Sequence, residues 1–219
     1  MRHADQPIYD RPAYGLPEAA QYLRLSYTTL RNWTSESGIV RVPKADFVSF
    51  NNLLELHVLK AMRKTHSFSL QSIRKALAEV SRHIHSERPL LDAAFATDGI
   101  DLFLESDEDL VNLSKRGQLA IREIISLYLQ RIERDATGIP VRLFPFIVSA
   151  REEEPRTISI SPKVSFGKSV LTGTGISTAV IAGRFAARDS ISDLAKEYGV
   201  DPNVIEDAIR WEAPLAKAA

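Results

Sequence analysis

The sequence contains no cysteine. This absence excludes disulfide bridges, thiolate nucleophiles and cysteine-ligated zinc together. There is also no run of about eighteen apolar residues, so a membrane-spanning helix is not expected. The opening stretch MRHADQPIYDRPAYG is polar and lacks the apolar core of a secretory signal. The expectation is a cytoplasmic protein with no membrane association.

The chain also lacks a net charge, because 28 Lys and Arg balance 28 Asp and Glu, yet the charges are segregated. Residues 1–85 carry a net charge of +5 and residues 86–155 a net charge of −6. Residues 156–187 are again basic at +4, and residues 188–219 carry −3. A basic front part indicates an anionic partner for that end. With 219 residues and 44% hydrophobic content, two or three small domains are expected.

The stretch LPEAAQYLRLSYTTLRNW, residues 16–33, predicts two helices joined by a tight turn. Ser26 is a suitable N-cap for the second helix, whose Leu30 and Trp33 would point inward. The outer face of that helix then offers a phenol, a hydroxyl, a guanidinium and an amide. These groups bond phosphates and base edges in a major groove; here they belong to Tyr27, Thr28, Arg31 and Asn32.

The next stretch, GIVRVPKADFVSF, predicts two short strands around a turn at residues 43–46, a small wing that carries Arg41 and Lys44. Two amphipathic helices should follow, NNLLELHVLKAMRKT and SLQSIRKALAEVSRHI, the second capped by Ser69.

This order of helix, turn, helix, wing and two further helices resembles the MerR-type winged-helix family across about the first 85 residues. The resemblance implies a recognition helix at residues 26–33, a wing that touches the DNA backbone, and a homodimer on an inverted repeat. The alternative is a helical bundle in which the polar side chains are merely solvated. The candidate DNA-binding residues are Arg24, Ser26, Tyr27, Thr28, Arg31, Asn32, Arg41 and Lys44.

A similar segment, ISDLAKEYGVDPNVIEDAIRW at residues 191–211, returns near the C-terminus. Asp201 takes the capping position of Ser26 in the first pair. Its second helix, however, shows Glu206 and Asp207 where the first shows a cation and an amide. Carboxylates facing phosphates would repel them, so this second pair is expected to contact protein rather than DNA.

The stretch before the second pair, TISISPKVSFGKSVLTGTGIST, predicts short strands at residues 157–160 and 169–172 and a helix capped by Ser177. Together with the second pair it is similar to a small prokaryotic family of unknown-function domains found in VapB-type antitoxins, over about residues 157–211. The family usually has Gly-Thr-Arg-Ile-Pro before the helix, and this chain has GTGIS at residues 173–177.

That resemblance implies a partner, since these antitoxins are usually encoded beside PIN-domain ribonuclease toxins. Such a toxin binds its metal through a cluster of carboxylates, and residues 156–187 contain four cations and no acid. A basic segment of this kind could complement an acidic pocket. The candidate partner-binding residues are Arg156, Lys163, Lys168 and Arg184.

The middle of the chain, residues 86–155, predicts an α+β module. A turn signal at residues 98–99 favours a hairpin with strands at residues 100–104 and 110–113. The stretch VRLFPFI suggests a further strand, and REEEPR suggests a linker. The segment QLAIREIISLYLQRIERD predicts a helix whose apolar stripe is core or a dimer seam, with Ile121, Ile124, Ile125, Tyr128 and Ile132 on one face.

No catalytic, metal or cofactor site is predicted. The GKS at residues 167–169 lacks the earlier glycine of a phosphate-binding loop. His83 and His85 have no third ligand nearby. The acids from Asp98 to Asp109 fall in or beside predicted turns, where solvated carboxylates are usual.

The predicted fold is mainly α with small β elements. We expect a flexible tail at residues 1–12, a MerR-like winged-helix domain at 13–85, the α+β middle module at 86–155 and a C-terminal helix-turn-helix-like domain at 156–214. The expected function is that of a non-enzymatic, DNA-binding antitoxin that neutralises a PIN-type toxin and regulates its own operon. The alternative is an effector-responsive transcription regulator with a ligand pocket in the middle module.

Overall fold

The computed structural model describes residues 6–65, 69–106, 108–147 and 155–213; for residues 6, 7, 64, 65, 108 and 109 it describes the backbone alone. The chain divides between Pro140 and Val141 into two compact units. None of the helices in the described ranges is long and apolar enough to cross a membrane.

The first unit is mainly helical. Its helices are α1 (Gln6–Asp10), α2 (Leu16–Leu23), α3 (Tyr27–Thr34), α4 (Phe50–Thr65), α5 (Leu70–Ile84), α6 (Ile100–Glu105), α7 (Glu108–Val111) and α8 (Lys115–Gln130). Two short antiparallel strands, β1 (Tyr14–Gly15) and β2 (Phe47–Val48), pair with Tyr14 opposite Val48. The predicted helix pair and both following helices are therefore present.

The long helices α4 and α8 supply the centre of the first unit's core. Leu53, Leu56 and Leu59 of α4 are completely buried, as the predicted stripe requires. The two helices are also joined by a polar contact, because His57 Nε2 lies 3.2 Å from the carbonyl oxygen of Tyr128. At the start of α5 the Ser69 hydroxyl accepts the backbone N–H of Ser72, which confirms the predicted cap.

The predicted wing is wrong in its first strand. The backbone N–H groups of Ile39 and Val40 both donate to the carbonyl of Trp33, at 2.9 and 3.0 Å, and so fold back onto the end of α3. Since these donors are used there, the segment does not form a strand. The second strand exists as β2, but it pairs with β1, and only a tight turn from Lys44 to Phe47 remains of the hairpin.

The predicted hairpin in the middle of the chain is wrong. Residues 100–105 form α6 and residues 108–111 form α7. The buried residues are Ile100, Phe103 and Leu104, which is the spacing of one helix face rather than the alternation of a strand. The supposed turn at residues 98–99 lies in a π-helical segment, Phe95–Gly99, that leads directly into α6.

The apolar helix predicted over residues 118–135 corresponds to α8, which ends at Gln130. Within it Ile121, Ile125 and Tyr128 are buried and Ile124 is half-buried. Ile132 lies beyond the helix, in the short strand β3 (Ile132–Arg134).

The second unit is a small sheet covered by three helices. Its strands are β4 (Pro140–Leu143), which begins at the division, β5 (Ile158–Ile160) and β6 (Ser169–Leu171), antiparallel in the order β4-β5-β6. Its helices are α9 (Thr178–Ala186), α10 (Ile191–Tyr198) and α11 (Pro202–Glu212). Their buried faces meet in one cluster, formed by Leu171, Ile181, Leu194, Ala195, Ile205 and Ala208.

The predicted strands and helices of the C-terminal domain are confirmed within a residue or two, and the Ser177 hydroxyl caps α9 by accepting the N–H of Ala179. The first compact unit runs past the predicted domain boundary at residues 85 and 86, and within it α8 packs on α4. The predicted domain bounds stay a prediction. The predicted linker lies largely outside the described residues, as does Asp107 between α6 and α7. The predicted flexible tail is corrected in part, because residues 6–10 form α1, which packs on α4 and buries Tyr9.

Candidate functional site

The two helix pairs have the same backbone geometry at the turn. In the first pair the N–H of Leu25 donates to the carbonyl of Ala20 at 3.0 Å, and in the second the N–H of Val200 donates to the carbonyl of Ala195 at 3.0 Å. The preceding residue is left-handed in both cases, Arg24 at φ 51° and Gly199 at φ 65°. This is a Schellman-type helix ending, so the repeat inferred from the sequence is a repeat in structure.

Helix α3 is capped and anchored as predicted. The Ser26 hydroxyl accepts the N–H of Thr29 at 3.1 Å, which satisfies one of the free donors of the first turn. Leu30 is 0% exposed and Trp33 4% exposed, so one face of the helix is fixed in the core.

The opposite face of α3 is open to solvent. The predicted phenol, hydroxyl, guanidinium and amide all lie on it, since Tyr27, Thr28, Arg31 and Asn32 are exposed. Arg41 is exposed in the segment after the helix. An exposed helical row of hydrogen-bond donors with one cation can meet both phosphate oxygens and base edges.

The other two cations among the candidate DNA-binding residues are Arg24 and Lys44. Arg24 sits half-buried at the C-cap of α2, immediately before α3. Lys44 lies in the tight turn, with its Nζ 5.1 Å from the centre of the Phe47 ring. Both are within a few residues of α3 or β2.

The structure adds two cations that the sequence analysis missed. Lys60 and Arg63 of α4 line the same cleft, of about 390 Å³, as Thr29 and Trp33 of α3. The apolar stripe of α4 does not indicate them, although their spacing of three places both on one side of the helix. They increase the positive charge beside α3.

The acids of the second pair do not both face outward, which corrects the sequence-based expectation. Asp207 is only 7% exposed: one carboxylate oxygen accepts the hydroxyl of Thr157 at 2.9 Å, and the other accepts Arg210 at 3.2 Å. Glu206 is half-buried and also pairs with Arg210, at 2.9 Å. Asp207 therefore fastens α11 to the residue that precedes β5.

Among the predicted partner-binding cations, Arg184 is engaged within its own unit. Its guanidinium donates to Asp189 at 2.6 Å, to Glu197 at 2.5 Å and to the hydroxyl of Tyr198 at 3.0 Å. The hydrogen bond to Glu197 is the main reason that the pKa of Arg184 is raised, and it lowers the pKa of Glu197 in return. This side chain joins α9 to α10 and is not available as an isolated charge.

The other three predicted partner-binding cations are exposed to solvent. The guanidinium of Arg156 lies 5.0 Å from the centre of the Phe144 ring, and Lys163 and Lys168 lie in the loop between β5 and β6. The loop therefore carries two exposed lysines with no acid in the surrounding segment.

A cavity of about 540 Å³ lies in the first unit, between the segment after α3 and helices α4 and α5. The carboxylate of Glu55 in its wall pairs with Arg88 at 3.0 Å. Burial raises the pKa of Glu55, and the charge of Arg88 opposes that rise. The other lining residues include Arg41, Arg74, Leu59, Leu77 and Leu90. Within the described ranges, no group of three or more His, Asp or Glu side chains is arranged to hold a metal ion.

Comparison with known proteins gives three findings. A family model described as "Protein of unknown function (DUF433)" matches residues 158–211, which run from β5 through β6, α9 and α10 to the end of α11. The curated protein "Putative antitoxin VapB45" of Mycobacterium tuberculosis is 26% identical over 235 residues, covering 92% of this chain and 94% of that protein.

The third finding is structural. The X-ray crystal structure of Rv2018 from Mycobacterium tuberculosis aligns with a TM-score of 0.71 and 22% sequence identity, covering 92% of this chain and 98% of that one. At this identity the likeness shows a shared fold. The chain is thus similar over most of its length to a protein named as a VapB antitoxin, and it carries a DUF433 match in its second unit.

Proposed function

We propose that this chain is an antitoxin-like, DNA-binding regulator, in which α3 of the first unit contacts operator DNA. The observation that carries the proposal is the capped helix α3, with one face buried and Tyr27, Thr28, Arg31 and Asn32 exposed on the other. The net charge of +5 over residues 1–85 supports the same assignment, because phosphate contacts supply most of the affinity for DNA.

The equivalent helix of the second unit is not proposed to bind DNA. On α11, Glu206 stands where α3 has Arg31, and Asp207 is buried in an internal hydrogen bond. At these two positions α11 has a carboxylate that repels a phosphate and no accessible amide that could donate to one. The second unit is instead assigned to protein contact.

The protein partner is proposed to be a toxin of the PIN ribonuclease type. The similarity to "Putative antitoxin VapB45" supports an antitoxin role, and the sequence resemblance of residues 157–211 to VapB-type antitoxin domains supports the type of toxin. The chain is further proposed to act as a homodimer in the cytoplasm, on an inverted repeat with half-sites about one helical turn apart.

The test is DNA binding by the full chain to the duplex upstream of its own gene, measured by fluorescence anisotropy. Arg31→Ala should weaken binding by about 1–3 kcal/mol, since the variant loses a charged contact in the groove. Glu206→Gln is the matched control at the equivalent position of α11 and should change the affinity less than about twofold. Equal effects of the two substitutions would contradict the assignment of DNA binding to α3.

A second candidate function, an effector-responsive regulator, is supported by one observation, although the cavity concerned is lined mainly by residues 39–81 rather than by the middle module. The cavity of about 540 Å³ is lined by Ile39 and Val40, the residues whose N–H groups hold the end of α3. A small molecule bound there would contact the support of the recognition helix and so alter operator affinity. A thermal-shift screen of metabolites tests this function, and ligands that raise the melting temperature should also change the Kd for DNA.

A further inference from the structure

The loop between β5 and β6 displays an aromatic side chain almost completely to solvent. Phe166 is 97% exposed, whereas Phe144 and Trp211 of the same unit are 2% and 0% exposed. A Phe that buries nothing contributes no hydrophobic stabilisation to the fold, because the stabilisation scales with the apolar area removed from water. Phe166 therefore does not serve the core of its own unit.

The backbone at this position also disfavours Phe. Ser165, Phe166 and Gly167 have φ values of 45°, 56° and 83°, which places three consecutive residues in the left-handed region. Residues with a Cβ atom are strained there, and glycine is the residue that fits without cost. The chain thus carries Phe where glycine would give a more stable loop. Strain of this kind is characteristic of sites that bind or recognise something.

Hydrogen bonds hold the loop in this shape. The N–H of Gly167 donates to the carbonyl of Val164 at 2.9 Å, and the N–H of Lys168 donates to the carbonyl of Ser165 at 3.1 Å. The Ser165 hydroxyl donates to the carbonyl of Gly175 at 2.7 Å, which ties the loop to the turn before α9. The ring is therefore presented on an ordered support, so little entropy is lost when it enters a pocket.

Two lysines lie close to Phe166 in the sequence. Lys163 and Lys168 are exposed three and two residues from Phe166, and residues 156–187 contain no acid at all. The partner that fits this surface has an apolar pocket for an aromatic ring, with carboxylates around its rim. The opposite arrangement, a basic rim, would be repelled by the two lysines.

We propose that Phe166 is the anchor residue of the partner-binding surface in the second unit, and that Lys163 and Lys168 orient the partner through its acidic rim. This inference rests on the proposed function, because the partner is taken to be the toxin whose action the chain opposes. Buried aromatic anchors of this kind dominate the affinity of protein interfaces.

The experiment uses the purified full chain and the purified product of the gene adjacent to its own, with the Kd measured by isothermal titration calorimetry. Phe166→Ala and Phe166→Gly should each weaken binding by about 30-fold or more. Phe166→Trp keeps a large ring and should stay within about fivefold of wild type. The control is Leu119→Ala, which removes another exposed apolar side chain, 53% exposed on α8, and should leave the Kd unchanged.

Phe166→Gly has a second expected result that a purely structural role would not give. Because glycine relieves the left-handed strain and no burial is lost, the melting temperature should rise by about 2–4 °C while affinity for the partner falls. A lower melting temperature for both Phe166→Gly and Phe166→Ala would mean that the ring supports the fold, which overturns the inference.

The outcomes separate the inference from the proposed function. If wild type binds the neighbouring product and the Phe166 variants bind it equally well, the inference is overturned and the antitoxin proposal stands. If wild type does not bind that product at all, both are overturned. If the variants lose only self-association, seen by light scattering of the chain alone, the loop joins two copies and the inference is again overturned.

Discussion

His57 is a residue whose chemistry is set by its surroundings. It is 2% exposed on α4, with its ring 4.7 Å from that of Tyr128. Burial, assisted by the nearby charge of Lys60, lowers its pKa to about 3. Since a carbonyl oxygen can only accept, Nε2 carries the proton in the contact with Tyr128. The folded protein therefore holds a neutral imidazole throughout the physiological range.

This lowered pKa predicts a pH-dependent stability. Below the ordinary histidine pKa of about 6.5, His57 binds a proton in the unfolded chain but stays neutral in the folded chain. The free energy of unfolding is therefore highest above that pH and decreases as the pH falls. Between pH 7 and pH 5 the loss from His57 should be about 2 kcal/mol. Urea unfolding of wild type and His57→Gln at both values measures it, and the variant should show a correspondingly smaller fall. Parallel pH profiles for the two proteins would contradict the buried, neutral imidazole.

The residues that could be predicted from the sequence are those with local partners. Ser26, Ser69 and Ser177 each accept an N–H two or three residues away, so short-range sequence was sufficient to identify the caps. Asp207 could not be placed this way, because its partner Thr157 lies 50 residues earlier in the chain. The contacts of Arg184 cannot be foreseen for the same reason, since its shortest hydrogen bond is to Glu197 in the next helix.

At the scale of elements, α3 and α11 show how one helix-pair geometry can present two different surfaces. Both begin with a capped first turn after a left-handed residue, and both bury one face. On α3 the position equivalent to Asp207 is the exposed Asn32, whereas on α11 it is turned into the unit. The longer α11 packs against α9 and also contacts β5. This packing buries the Asp207 side of α11, whereas the equivalent Asn32 side of α3 is exposed to solvent.

This difference predicts unequal costs for two adjacent substitutions on α11. Asp207→Ala leaves the Thr157 hydroxyl and part of the Arg210 guanidinium without their acceptor, and should lower the free energy of unfolding by about 1–3 kcal/mol. Glu206→Ala removes a more exposed ion pair and should cost less than about 1 kcal/mol. Chemical denaturation of the two variants measures both costs, and a larger loss for Glu206→Ala would contradict the anchoring role of Asp207.

The misassigned hairpin shows where periodicity alone fails. Apolar residues stand at every second position of this stretch, at Ile100, Leu102 and Leu104, which is the alternation expected of a strand. The structure buries Phe103 and leaves Leu102 half-buried, because α6 packs against α5 and needs a helical face. Over six residues both periods can be satisfied, and the choice depends on tertiary packing. The longer helices α4, α5 and α8 contain enough turns to be predicted from the sequence.

For the whole molecule, each of the two compact units contains one basic segment. The basic residues 1–85 fall in the first unit and contain α3, while the basic segment 156–187 falls in the second unit and contains the loop that displays Phe166. Under the proposed function, one basic region contacts DNA and the other contacts an acidic protein surface. The sequence could predict this segregation, but not the exposure of Phe166, which depends on an unusual backbone conformation.

The most direct test of this account is the salt dependence of DNA binding by the full chain, with the duplex upstream of its gene as the probe. Because each neutralised phosphate releases a counterion, the logarithm of the affinity should fall steeply and linearly with the logarithm of salt concentration. Arg31→Ala should make that slope shallower by about one, while Glu206→Gln should leave it unchanged. A flat dependence for wild type, or a slope that changes with Glu206 and not with Arg31, would contradict the claim that α3 is the helix that meets DNA.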